Sequence, residues 1–585
     1  MKRFLTTITI VMSISSSTPG ADANWRTHCE KSGFESTPRY EETIEYCTRL
    51  SDGSPHVHYA TFGRSPRGRD LPLLIIDRRG NFTPDEVRAT DNAVLLIEAG
   101  IHAGEICGKD AGLMLIRDIV IDGAYGNILD NLTILFIPIF NVDGHERFGP
   151  YNRINQNGPR EMGWRTTARN LNLNRDFLKA DAPEMRDWLR LYLEWLPEFF
   201  VDCHSTDGAD YQYPLTYGLE IHGNMERRLT EWTRDVCLVY LEDEMERSGM
   251  PISPYVMFRS WHDVKSGMRS WVATPVLSEG YTAIQNRPGL LIETHMLKSY
   301  RVRVEATYEM LRHTAELVND RHEELRGIVR EADRYTASEE FRKEPYTLRF
   351  EMAPDSVIID FLGVDYERVE STITGRARIE FKDEPVTYRI PYFHRQVPSV
   401  QVDVPEAYII PPEWTEVIDR LELHGVEFSR LEKAETLSVE SYRFSDVQWH
   451  REPYEGRQRV MFKAAPVEER RVYPPGSAVV NMDQRSAGVV MHMLEPEAPS
   501  SYLYWGFFNG IFEQKEYAES YVMEKMAAVM LENDPALAEE FEKRKAEEPE
   551  FAGNARAVLN WFYSKTPYWD NRKNVYPVGR LPGRI

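Results

Sequence analysis

Ala93-Val94-Leu95-Leu96-Ile97-Glu98-Ala99-Gly100-Ile101-His102-Ala103-Gly104-Glu105 is the stretch on which the fold turns. Its apolar opening, Ala93 to Ile97, is short for a helix and suits a strand buried on both faces. After the glycine-punctuated turn, Gly108 to Val120 sets Leu113, Ile116 and Val120 on one helical stripe. Strand, turn and helix in succession make a unit of an α/β sheet. The pattern continues outward. Leu132 to Phe140 is a second buried run and ends at the turn Asn141-Val142-Asp143-Gly144. Pro183 opens a helix carrying Met185, Leu189, Tyr192 and Leu196. Phe199 to Val201 and Gly289 to Ile292 are short strands, Met225 to Glu246 is a long amphipathic helix, and a closing helix runs from about Val304 to about Asp333. This predicts a sheet, mostly parallel, with helices on both faces.

The texture changes after Tyr335. Leu348, Phe350 and Met352, then Ala377, Ile379 and Phe381, then Val386, Tyr388 and Ile390 alternate with polar residues, the mark of half-buried antiparallel strands. Residues 24–335 therefore read as one α/β domain, 340–470 as a β-rich accessory domain, and 471–585 as a mixed, helix-rich region. Tyr473 to Ser477 reads as a linker or a tight turn. Helices are expected over Tyr517–Leu531 and Ala536–Glu548. The aromatic run Tyr502 to Phe508 suits a core better than an exposed groove.

The 585 residues are 42% apolar and carry a net charge of −22, which excludes wholesale disorder and disfavours nucleic acid and anionic lipid as partners. Residues 1–23 have the order of a secretory signal: Lys2 and Arg3, an apolar core, then Ala21-Asp22-Ala23 as a cleavage site. The expectation is a periplasmic or secreted chain with no membrane insertion after cleavage. Cys29 and Cys47 could form one disulfide in an oxidising compartment; Cys107, Cys203 and Cys237 read as small buried residues.

His102 and Glu105, three apart in a strand-to-helix turn, can reach one point, and imidazole and carboxylate both suit zinc. Alone the pair is a weak signal. His204, directly after the Phe199–Val201 strand, offers a third donor, although for an isolated histidine a hydrogen-bonded core residue is the favoured reading. Three protein ligands leave an open position, as a catalytic zinc requires. Glu293 ends the Gly289–Ile292 strand, where a carboxylate is costly without a role or a partner; the bland reading is a solvated acid. Parallel strands would bring all four to one sheet edge, where open α/β sheets place their sites. Gly163 to Phe177 contributes three arginines and three asparagines, a loop suited to binding a carboxylate or pairing with the chain's own acids.

In this order, H-x-x-E, N-x-D-G, W-R, N-R, a strand-end His and a late strand-end Glu, the set resembles the zinc carboxypeptidases of the carboxypeptidase A superfamily, peptidase family M14, over about Tyr40 to Asp333. The resemblance implies a mixed eight-stranded sheet and one zinc ion held by His102, Glu105 and His204. It implies Glu293 as general base and then acid, and Arg165 as the group stabilising the oxyanion. Asn174 and Arg175 match the pair that grips the substrate's terminal carboxylate, so a peptide with a free C-terminus is the implied partner. Asn172 stands where the family often has an aspartate behind a zinc histidine, and Val142 replaces the usual proline of N-P-D-G. Tyr281 is the nearest candidate for the tyrosine that closes over the substrate. The same site would serve a zinc amidohydrolase or deacylase acting on N-acyl amino acids or cell-wall peptides. A binding protein that has lost catalysis is the third reading, disfavoured by the full set of groups. Oligomeric state is not encoded in any of these features.

Overall fold

The computed structural model describes residues 24–206 and 208–583. The signal-like stretch 1–23 lies outside the described residues. The chain divides into two compact units. One takes the described residues up to Val404 together with Asp419–Glu427 and Met482–Ser500; the other takes Pro405–Ile418, Phe428–Asn481 and the described residues from Ser501 on.

The first unit is built on an eight-stranded sheet of β1 (Val57–Arg64), β2 (Asp70–Ile76), β3 (Ala93–Ala99), β4 (Leu132–Ile137), β5 (Phe199–Thr206), β6 (Leu215–Leu219), β7 (Ile252–Pro254) and, after the short β8 (Met268–Arg269), β9 (Gly289–His295). Its order is β1-β2-β4-β3-β5-β9-β6-β7. The four central strands β4, β3, β5 and β9 are mutually parallel, while β1, β2 and β6 run antiparallel to their inner neighbours. Side chains alternate across it as period two demands. Leu95, Ile97, Val201 and Cys203 join one core with the Cys107–Val120 and Tyr300–Asp320 helices. On the other face Phe200 meets Trp188 of the Pro183–Trp195 helix edge to face. The expected mixed sheet with helices on both faces is therefore present.

Three local differences have physical causes. Strands β5 and β9 run further than the apolar signal, because polar residues continue the ladder: His204 pairs with Glu293 in register. The Met225–Glu246 helix starts at Arg227 and carries a π-turn over Thr233–Leu238, between Arg227–Trp232 and Val239–Arg247. The closing helix is two helices, Tyr300–Asp320 and His322–Thr336, broken at Arg321.

The change of texture at Tyr335 does not coincide with the edge of the unit. β10 (Tyr346–Met352) pairs with β13 (Gln396–Val402), and β11 (Val357–Glu370) with β12 (Ala377–Phe393). β12 adds to β8 in parallel, Tyr392 opposite Met268, so this hairpin is joined to the unit that holds the large sheet.

The second unit has its own sheet of six strands. These are β14 (Ala407–Ile410), β15 (Ser429–Arg430), β16 (Glu435–Trp449), β17 (Val460–Tyr473), β18 (Ala478–Asn481) and β19 (Gly579–Leu581), all paired antiparallel. Tyr473 to Ser477 is a tight turn between β17 and β18, closed by the Ser477 hydroxyl donating to the Pro474 carbonyl. Helices Ser520–Asn533, Pro535–Glu547 and Ala555–Ser564 close around Phe541, Trp561 and Phe562. The aromatic run is core: Tyr502, Leu503, Trp505, Phe507 and Phe508 are all buried.

Candidate metal centre

The strands deliver the site. Gly100 takes φ +70, a left-handed conformation that glycine adopts without strain, and turns the chain from β3 into the His102–Glu105 loop. His204 and Glu293 stand side by side on β5 and β9. One donor atom from each of His102, Glu105 and His204 lies within 4.8 Å of the others, and all three residues are buried. His102 Nδ1 is 3.1 Å from Glu105 Oε1, and His204 Nδ1 is 3.0 Å from Glu105 Oε2. The two Nδ1 atoms are 3.1 Å apart. Two imidazole nitrogens and one carboxylate converging away from water are a fitting donor set for zinc.

The outward ring nitrogens are each held. His102 Nε2 donates to Asn172 Oδ1 at 2.9 Å, and His204 Nε2 donates to Asp202 Oδ2 at 2.8 Å. Such partners fix the tautomer, leaving both Nδ1 atoms as lone-pair donors. Asp202 was not singled out from sequence, yet period two on a strand puts it on the same face as His204. Behind it Glu98, opposite Asp202 in register, is fully buried with neither oxygen hydrogen-bonded. Burial, reinforced by Asp202, holds its carboxyl well above the usual range.

Two arginines converge on Glu105. Arg165 donates to Oε1 at 3.1 Å and Arg153, which no sequence signal marked, at 2.7 Å. Burial opposes the charge on Glu105, but Arg153 and the two histidines outweigh it and hold the carboxyl well below its ordinary value. The Asn141–Gly144 turn positions Arg165: the Asn141 amide donates to the Arg165 carbonyl and Trp164 N–H to the Gly144 carbonyl. A side chain at Gly144 would sit 2.6 Å from the Thr166 carbonyl oxygen, so the close approach requires glycine.

Asn174 and Arg175 line the same cavity, of about 770 Å3, as His102, Glu105, His204 and Glu293. Asn174 Oδ1 accepts the Ser278 N–H at 3.1 Å, which fixes its amide. Glu293 is 9% exposed and its Oε2 is buried with no hydrogen bond. Burial pushes its carboxyl up to about 8, His204 opposing and Glu105 adding to the rise.

Tyr281 does not join them. It is fully buried on the far side of its helix, against Phe177, Trp188 and Tyr192. Its hydroxyl donates to His424 Nδ1 and accepts from Gln285 Nε2, both at 2.9 Å. With His424 Nε2 donating to the Leu178 carbonyl, that network is closed and leaves no freedom to swing toward the site. Tyr255 and Trp271 line the cavity instead, on the connection from β7 to the Ser278–Ile284 helix, with β8 between them. Cys29 and Cys47 are both free, buried thiols.

The sequence comparisons agree with this geometry. A family model described as zinc carboxypeptidase matches residues 43–217. Carboxypeptidase 2 of Trichophyton rubrum is 22% identical over 490 residues, covering 80% of this chain and 84% of that one. Carboxypeptidase 2 of Trichophyton tonsurans is 21% identical over 491 residues, with the same coverage of 80% and 84%. Among solved structures, the metallo-carboxypeptidase from Burkholderia cenocepacia aligns with a TM-score of 0.37 at 16% identity, covering 48% of this chain and 69% of that one. No helix among the described residues is long and apolar enough to cross a membrane. With a zinc-type donor set at the edge of a parallel sheet and a family match over the strands that carry it, residues 43–217 are similar to the zinc carboxypeptidases of peptidase family M14, and the chain is a zinc metallopeptidase.

Proposed function

We propose that this chain is a metallocarboxypeptidase that hydrolyses the last peptide bond of peptides bearing a free C-terminal carboxylate. The observation that carries this reading is the cavity that gathers His102, Glu105 and His204 with Glu293, Arg165, Asn174 and Arg175. His102, Glu105 and His204 would hold one zinc ion. When bound, zinc polarises a carbonyl oxygen and makes a water molecule acidic enough to attack at neutral pH.

The chain's own residues supply the rest. Glu293 Oε2, with no hydrogen bond of its own, takes a proton from the attacking water and returns it to the leaving amine. Its raised pKa suits a group that must both accept and donate near neutrality. Arg165, 43% exposed at its side chain, leaves its contact with Glu105 to turn its guanidinium onto a developing oxyanion. Asn174 and Arg175 bind the terminal carboxylate by charge-assisted hydrogen bonds, which selects free C-termini over amides. In this reading residues 24–335 hold all of the chemistry, and 340–470 and 471–585 are accessory. The signal-like order of residues 1–23 supports the periplasm or the outside of the cell as the place of action.

Glu293→Gln tests the assignment. It keeps the shape of the side chain and removes the base, so turnover should fall about a thousandfold or more while bound zinc stays at one per chain. Turnover within tenfold of the wild type would sink the role given to Glu293.

A further inference from the structure

The connection after β7 gives the metal-site cavity three wall residues, Tyr255, Met257 and Trp271. Its first residue is tied to the large sheet: the Tyr255 N–H donates to the Tyr217 carbonyl at 2.8 Å, and the Tyr255 hydroxyl accepts from Thr206 at 3.2 Å. Further along, its ties run to the β11–β12 hairpin. Met268 and Arg269 pair with Tyr392 and Phe393 of β12, and the Ser270 N–H donates to the Phe393 carbonyl at 2.9 Å. The Arg259 guanidinium lies over the Phe393 ring, 4.4 Å from its centroid. Asp263 accepts the Tyr366 hydroxyl on one oxygen at 2.7 Å and the Arg368 guanidinium on the other at 2.6 Å.

The same hairpin is seated on the segment that follows β5. The Gln212 N–H donates to the Leu362 carbonyl at 2.9 Å, and the Leu362 N–H donates to the Tyr213 hydroxyl at 3.1 Å. Phe361, fully buried, packs its ring 5.5 Å from Tyr213 and 6.1 Å from Tyr211, and 5.6 Å from Phe258 of the connection. Val264, Met268 and Ile390 join this core. The hairpin therefore bridges the sheet and the cavity wall. A wall ordered before substrate arrives leaves less conformational entropy to lose on binding. His204 and Glu293 stand on the central ladder, paired with each other in register.

We infer that Tyr366 and Arg368 are positioning residues for the reaction. Through Asp263 they hold the connection that carries Tyr255, Met257 and Trp271, so the β11–β12 hairpin sets affinity for peptide and leaves the chemical step to the central strands. This rests on the carboxypeptidase reading above. Asp263 and Arg368 form an ion pair whose Arg368 side chain is 59% exposed, so truncating it empties no core.

The test uses the full zinc-loaded chain and two readouts. In turnover of a free-acid peptide, the double variant Tyr366→Phe, Arg368→Ala should raise KM about fivefold or more, with kcat within about twofold and zinc still at one per chain. Arg368→Lys alone keeps a cation opposite Asp263 and should hold KM within about twofold of the wild type. Arg389→Ala, which removes an exposed pair with Asp360 on the same hairpin, should leave KM unchanged. In hydrogen exchange, the amides of Arg259, Arg269 and Ser270 should exchange about tenfold faster in the double variant, and those of β5 and β9 at the wild-type rate. A KM unmoved in the double variant, a fall in kcat that matches the rise in KM, or unchanged exchange would overturn the inference while leaving the carboxypeptidase reading intact. Absence of turnover by the wild type would overturn that reading instead, and the exchange rates would still decide whether Tyr366 and Arg368 hold the wall.

Discussion

His102 and His204 are held from behind by different groups, a neutral amide at Asn172 and a carboxylate at Asp202. The charge that raises ligand basicity therefore sits behind His204, with the buried Glu98 beyond it. Asp202→Asn should weaken zinc binding roughly 10–100-fold while leaving the fold intact, measured by competition with a chelator of known affinity. Affinity unchanged within twofold would show that Asp202 does not tune the site. The candidate ligands His102, Glu105 and His204, and Glu293 beside them, were legible in the sequence, because a buried strand end does not accept such residue types without a purpose. Arg153 was not legible: it lies in a loop with no periodicity, and only the folded chain brings it to Glu105. Tyr281 was misplaced for a related reason. It is the nearest tyrosine before Glu293, at a shorter spacing than the family usually has, and its helix turns it into an aromatic core.

At the level of elements, alternation and apolar runs revealed which strands exist but not how long they are. β5 and β9 continue through polar residues because His204–Thr206 pair with Glu293–His295, and β6 pairs with Glu293 and Thr294 on the other side of β9. The Pro183–Trp195 helix shows a cost hidden from sequence. Glu184 in its first turn has an N-terminal position that favours an acid, yet both its oxygens are buried without hydrogen bonds. Burial pushes its carboxyl up to about 7. An acid whose pKa is raised by folding stabilises the fold fully below its unfolded value and loses that contribution as pH rises through the folded one. Between about pH 4.5 and 7 the wild type should therefore lose stability that Glu184→Gln keeps. Denaturation curves at pH 4 and pH 8 should show the variant near wild type at the lower pH and more stable, by up to about 3 kcal/mol, at the higher. A difference that does not change with pH would contradict the assignment.

Across the whole molecule, the sheet and its chemistry occupy one unit, and that unit is not continuous in sequence. Asp419–Glu427 and Met482–Ser500 return to it, bringing His424 to Tyr281 and Arg485 to Gln285. No composition shift marks such returns, which is why a boundary drawn at Tyr335 cannot find them. A chain ending at Val404 should melt roughly 5 °C or more below the full chain, because buried polar groups lose their partners; an equal melting temperature would show that the returning segments are dispensable. The net charge of −22 is carried mostly on solvated surface, whereas Arg153, Arg165 and Arg175 line the metal-site cavity. The most direct measurement incubates the zinc-loaded chain with one peptide in two forms, free acid and C-terminal amide, and follows both by mass spectrometry. Loss of single residues from the C-terminus of the acid, with the amide untouched and all cleavage stopped by a chelator, is the predicted result. Internal cuts, release of an N-acyl group, or equal cleavage of acid and amide would contradict it.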